Sequence, residues 1–140
     1  MLDFSDIEEV IERCFNEMSS ASLEKYDSEK ADRTAALFLV AQMKLSSLIE
    51  DAEMKARHSK NEITRIEGEK YFEFKSSNVD KKVTEGMMTS HLSKDVDIVA
   101  AKTEHAKNES NLKKWNYISD VLKNGHVYFR NIGKTKSWQE

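Results

Sequence analysis

The sequence predicts an all-α protein, an antiparallel hairpin of two long helices with short flanking helices, assembling as an oligomer. Three observations lead there. The 140 residues include no proline and only Gly68, Gly86, Gly125 and Gly133 as glycines, so the tight turns of a sheet lack their usual residues. Charged residues make up 34% of the chain against 39% hydrophobic, a balance that suits elongated helices better than a compact globule. Leu45, Ile49, Ala52, Ala56, Ser59, Ile63 and Ile66 then follow one another at steps of four and three. That is the a/d spacing of a coiled coil, which keeps one narrow seam along one side of a helix.

The first element is a short helix opened by Ser5-Asp6-Ile7-Glu8, which has the form of a capping box with Ser5 as N-cap. Ile7, Val10, Ile11, Cys14, Phe15 and Met18 mark its apolar face. Cys14 is the only cysteine, so no intrachain disulfide or zinc cluster can form. Its apolar neighbours make it a small buried hydrophobe.

Ser28 is placed to cap the first long helix, predicted over 28–74, with Glu29 and Asp32 suitably charged for its first turn. Unbroken, it is roughly 70 Å long. No small core is that wide, so it must lie against another long helix or a copy of itself. The seam is bulky at Leu45 and Ile49, small at Ala52, Ala56 and Ser59, and bulky again at Ile63 and Ile66. Its middle reads as a close crossing point that buries little apolar area, at ~25 cal/mol per Å2.

A polar turn, KSSNVDKK, follows Phe74. Thr84 caps a short helix holding Met87, Met88 and Leu92, and Ser93 or Asp95 opens the last helix, predicted over 94–132. That helix carries Val96, Val99, Ala100, Ala106, Leu112, Trp115, Ile118, Val121, Leu122, Phe129 and Ile132. Gly125 and Gly133 read as possible breaks, and the terminal GKTKSWQE as loose. Residues 1–140 thus read as a single helical domain.

Charge is uneven along the chain. Residues 1–56 hold thirteen Asp/Glu against six Lys/Arg, a net −7; residues 57–140 hold sixteen Lys/Arg against twelve Asp/Glu, a net +4. The basic part suits a polyanion, and the two parts also suit each other in an assembly. An acidic N-terminus in place of a basic one, and no apolar run of spanning length, predict a cytoplasmic protein without a membrane partner.

No Gly-rich phosphate loop, Walker lysine or nucleophile elbow is present, so no enzyme and no cofactor are expected. His58-Ser-Lys-Asn-Glu62 echoes His105-Ala-Lys-Asn-Glu109. Each reads as a solvated i,i+4 pair rather than half of a metal site, because the Glu-x-x-His pairs of di-iron bundles are missing. Two stretches interleave cations with aromatic rings, RIEGEKYFEFK with Lys81 and Lys82 beyond it, and KNGHVYFRNIGKTKSW. Single strands are held by cationic grooves and by rings that stack on bases. Arg65, Lys70, Tyr71, Phe72, Lys75, Lys81, Lys82 and Arg130 are therefore candidate DNA contacts. The alternative for Tyr71, Phe74 and Phe129 is a helix-end core with lysines snorkelling around it.

The order of these pieces resembles a known family. A heptad helix ends in the aromatic pair Tyr71-Phe72, followed by a polar turn and KKVTEGMMTSHLSKDVDIV. The last helix ends NLKKWNYISDVLKNGHVYFRNI. Over roughly 52–138 this resembles the phage recombination mediator proteins of the UvsY type, most tellingly at Ser93-Lys94-Asp95-Val96 and Lys123-Asn124-Gly125-His126. The resemblance implies an all-helical homo-oligomeric ring that binds single-stranded DNA. It also implies loading of a recombinase onto DNA coated with single-strand-binding protein, in the host cytoplasm if the chain is phage-encoded. The family places a lysine and an arginine just before its paired tyrosines; here Arg65 and Lys70 are interrupted by Gly68 and acidic residues. The alternative function is a helical adaptor or inhibitor that binds a protein partner through the acidic N-terminal part.

Overall fold

The computed structural model describes residues 4–20 and 26–139, with side chains from Ile7 onward. Four α-helices follow in order, α1 (Phe4–Ser19), α2 (Ser28–Ser77), α3 (Glu85–Lys94) and α4 (Val96–Gln139), and the described residues contain no strand. The all-α class is as predicted. The chain divides into two compact units, Met1–Glu50 with Lys114–Glu140, and Asp51–Lys113. Both α2 and α4 contribute to each unit.

In the first unit α1 buries Ile7, Val10, Ile11 and Cys14, while Phe15 and Met18 at the edge of the same face stay partly exposed. The helix begins at Phe4, one residue ahead of the expected Ser5 cap. The Ser5 and Asp6 side chains of that capping box lie outside the described residues. At α2 the capping side chain is Asp27 rather than Ser28: its carboxylate accepts the Lys30 N–H at 2.7 Å and its carbonyl accepts from Ala31 at 3.0 Å. Those are the bonds an N-cap makes to the first turn. Ala31, Ala35, Phe38, Ala41 and Leu45 are buried along this part of α2, so the apolar seam starts fourteen residues before Leu45.

Trp115, Leu122, Phe129 and Ile132 supply the α4 side of that core. Gly125 and Gly133 do not break α4, which runs on to Gln139. Both glycines are buried because another side chain occupies the space of the missing one: the Phe38 ring covers Gly125 and the Asp32 carboxylate approaches Gly133. Neither has positive φ, so each serves close packing and leaves the helical backbone intact. Tyr26 ties the elements together. It is buried, its ring lies 5.2 Å from that of Phe129, and its hydroxyl donates to Glu17 of α1 at 2.6 Å.

The second unit has a thinner core of Ala52, Ala56, Met88 and Ile98, with Ser59 buried among them. Thr84 caps α3, accepting from the Met87 N–H at 3.2 Å. Asp95, of the two predicted starts, caps α4: its carboxylate accepts from Asp97 at 2.9 Å and Ile98 at 3.1 Å. Starting the helix there turns Ile98 inward and leaves Val96 80% exposed. Val99 is exposed as well.

The small residues of the α2 seam seat an imidazole. His105 Nδ1 lies 2.8 Å from the Ser59 hydroxyl and its Nε2 lies 3.1 Å from Glu109. His105 is therefore a half-buried seam residue, where the sequence reading placed it on a solvated face. Asn108 donates to the Lys55 carbonyl at 3.4 Å, and Lys102 pairs with Glu67 at 3.4 Å. Along these contacts the α2 numbers rise as the α4 numbers fall. The first unit repeats that order in Gly133 beside Asp32, His126 Nδ1–H to the Ala35 carbonyl at 2.9 Å, and Gly125 beside Phe38.

Candidate nucleic-acid interface

Seven of the eight candidate DNA contacts belong to the second unit and Arg130 to the first. Their side chains fall into two electrostatic classes. Arg65 is clasped by carboxylates of its own helix, Glu62 at 2.9 Å and Glu69 at 2.7 Å. The hydrogen bonds that Arg65 donates to Glu62 raise the guanidinium pKa further, and Arg65 in return holds the Glu62 carboxyl below its ordinary value. Lys70 reaches across to α4 and meets Asp97 at 3.0 Å and Asp95 at 3.6 Å. Its pKa is raised, chiefly by the Asp97 bond. Both cations are therefore already compensated, and a phosphate would have to compete with carboxylates for them.

The residues after Lys70 are differently placed. Phe72 is 72% exposed, far more than an apolar ring on a packed helix end, and Tyr71 beside it is also exposed. Lys75 stands over the Tyr71 ring, its ammonium 5.4 Å from the centroid and 3.4 Å from the hydroxyl, a cation–π arrangement that also steadies the ring. Lys81 and Lys82 are exposed in the turn between α2 and α3. One helix end and its turn thus gather two exposed rings and three cations, the residue types that single-strand-binding surfaces use to stack bases and neutralise phosphates.

Phe74, expected as core or contact, instead stacks on His91 of α3 with centroids 4.1 Å apart and planes 20° from parallel. That pair, with Met87, Ser90 and Lys94, lines a shallow depression of about 530 Å3. Neither His91 nor Lys94 is among the candidate contacts read from the sequence. α3 is only ten residues long, too short for its spacing to show which residues meet the end of α2. Arg130 is exposed on α4, whereas its neighbour Phe129 is core and Tyr128 meets that ring edge-on at 5.2 Å. Among the described residues no three His, Cys, Asp or Glu gather as a metal site requires. No described helix is long and apolar enough to cross a membrane.

Comparisons with protein-family models, with curated proteins and with solved structures find no match to this chain.

Proposed function

We propose that the chain is a single-stranded-DNA-binding recombination mediator of the UvsY type, acting as a homo-oligomer without chemistry of its own. In this reading α2 and α4 form an antiparallel hairpin. DNA is held at the end of α2 and the following turn, and the partners are a recombinase and a single-strand-binding protein. The observation that carries it is the exposed Tyr71-Phe72 pair with Lys75, Lys81 and Lys82 around it. Stacking on a ring tolerates any base, which suits a protein that must bind whatever strand recombination exposes.

Within the site the residues divide their work. Tyr71 and Phe72 stack, Lys75, Lys81 and Lys82 neutralise phosphates, and Arg65 and Lys70 hold the scaffold beneath them. Arg130 belongs to the first unit and is a separate candidate contact. Anisotropy of a labelled oligothymidine, titrated with protein over a range of salt, tests this. Binding should weaken as salt rises, with a slope of ~0.7 in log K against log salt per neutralised phosphate. An absence of binding at low salt refutes the DNA reading and favours the adaptor, for which exposed Leu39, Val40 and Met43 on the acidic part of α2 offer an apolar surface.

A further inference from the structure

The second unit carries an open groove of about 960 Å3 between α2 and α4. Its floor is apolar, made by Met54, Ile66, Ala100 and Ala101, and Met54 is 60% exposed there. Its sides carry Asp51, Glu62, Glu69, Glu73, Asp97 and Glu104 against Lys55, Arg65 and Lys70, a net charge of −3. The three cations are committed inside the groove, Lys55 to Asp51 at 3.1 Å and the other two to the carboxylates described above. Such a surface repels a polyanion and fits a helix that is apolar along one stripe and basic beside it.

The first unit carries that helix. From Val121 to Gln139, α4 contains no Asp or Glu, while Lys123, Arg130, Lys134 and Lys136 are all cationic. Tyr117, Val127, Tyr128 and Trp138 stay exposed on it, Trp138 at 86%. Tyr117 and Tyr128 are eleven residues apart, as are Val127 and Trp138. Eleven residues are close to three full turns, so each pair shares a stripe to within ~20°. The two stripes lie ~80° apart on the exposed side of α4, and Lys123, Arg130 and Lys134, at steps of seven and four, run along the flank of the Val127/Trp138 stripe. The lengths match as well: Asp51 to Glu73 along the groove and Tyr117 to Gln139 along α4 each cover roughly 33 Å at 1.5 Å per residue.

We propose that the groove of one copy receives the basic, aromatic end of α4 from a second copy. The apolar and aromatic residues rest on Met54, Ile66 and the two alanines, and Lys123, Arg130 and Lys134 together face the carboxylates along the groove, Glu73 and Glu104 among them. Two different patches meet, so the contact is head-to-tail, and each added copy presents a fresh groove or a fresh helix end until a ring closes. This deepens the homo-oligomeric part of the proposed function and rests on it, but needs no DNA.

Light scattering after size exclusion, without DNA, tests the contact. The wild-type chain should associate at micromolar concentration, less so at high salt. Glu73→Lys with Glu104→Lys, and separately Arg130→Glu with Lys134→Glu, should each weaken association by roughly tenfold or more. Mixing the two variants should restore it, because each then supplies what the other has lost. All four positions are exposed, and circular dichroism checks that helicity is kept. Should a reversal cost helicity, Gln at the same positions should still weaken association and its salt dependence. Either variant assembling like the wild type, or the mixture staying apart, overturns the contact and leaves the mediator reading standing. An oligomer with the expected charge-swap behaviour but no affinity for DNA overturns the mediator reading alone. A monomeric wild type overturns the contact and the oligomer together.

Discussion

The Phe38 ring lies where a side chain on Gly125 would otherwise stand. Phe38 has no exposed surface, and its ring packs 5.3 Å from that of Phe129, so it has little room to give way. Alanine in a helix interior ordinarily gains ~1 kcal/mol over glycine. Here the added methyl must displace a held ring, and overpacking costs ~1–3 kcal/mol. Gly125→Ala should therefore lower the urea midpoint. Gly68→Ala, with nothing within 4 Å of the new methyl, should raise it, by up to ~1 kcal/mol in stability. Two shifts of the same sign would contradict the packing role of Gly125.

Tyr26→Phe should separate the ring from the hydroxyl. The ring contact to Phe129 persists and the bond to Glu17 is lost, so stability should fall by ~0.5–1.5 kcal/mol. Tyr26→Ala removes the ring as well and should cost ~3–5 kcal/mol. If denaturant unfolding shows equal losses for the two variants, the ring is not the anchor of this region.

Asp95 sets an acid limit on the start of α4. The Ile98 N–H, then the Lys70 charge, hold its carboxyl below the ordinary value. A depressed folded pKa means the stabilisation is fully present above the unfolded value of about 3.9 and is lost as pH falls through the folded one. Hydrogen-exchange protection of the Asp97 and Ile98 amides should drop in that acid range. In Asp95→Asn, which can still cap but cannot titrate, the drop should vanish.

Cys14 should be chemically silent in the native protein. Burial pushes its thiol up to about 11, so only ~1 in 1,000 is thiolate at pH 8, and the thiolate is the reactive form. Labelling by a maleimide should follow the unfolding equilibrium. Fast labelling in native buffer would show that the α1 face opens readily.

On the proposed DNA platform, rings and cations should give different signatures. Phe72→Ala should weaken single-strand binding by ~1–3 kcal/mol at every salt concentration. Lys81→Ala and Lys82→Ala should each reduce the salt slope by ~0.7. Arg65→Ala should leave the slope nearly unchanged, since Glu62 and Glu69 already hold its charge. An Arg65→Ala effect as large as that of Lys82→Ala would return Arg65 to the phosphate-binding set.

The sequence by itself determined the helical class, the four helices to within a few residues at most ends, the Thr84 cap and the buried faces of α1 and the middle of α2. These are local properties: the absence of proline, and the 3,4 spacing that any helix turns into a stripe. The basic and aromatic composition of the α2 end was legible for the same reason. Tertiary structure decided which partner each group takes. Asp95 and Asp97 lie some 25 residues beyond Lys70 in the chain, so no local pattern assigns that cation to them rather than to a phosphate. Gly125 and Gly133 read as breaks because glycine favours coil in isolation, whereas facing Phe38 and Asp32 they are the residues that let the packing close. His105 read as solvated because its i,i+4 partner is a carboxylate. Ser59, 46 residues earlier, supplies the other bond. Which stripe a helix presents follows from spacing, but what fills the space opposite depends on residues distant in sequence, and only packing brings those together.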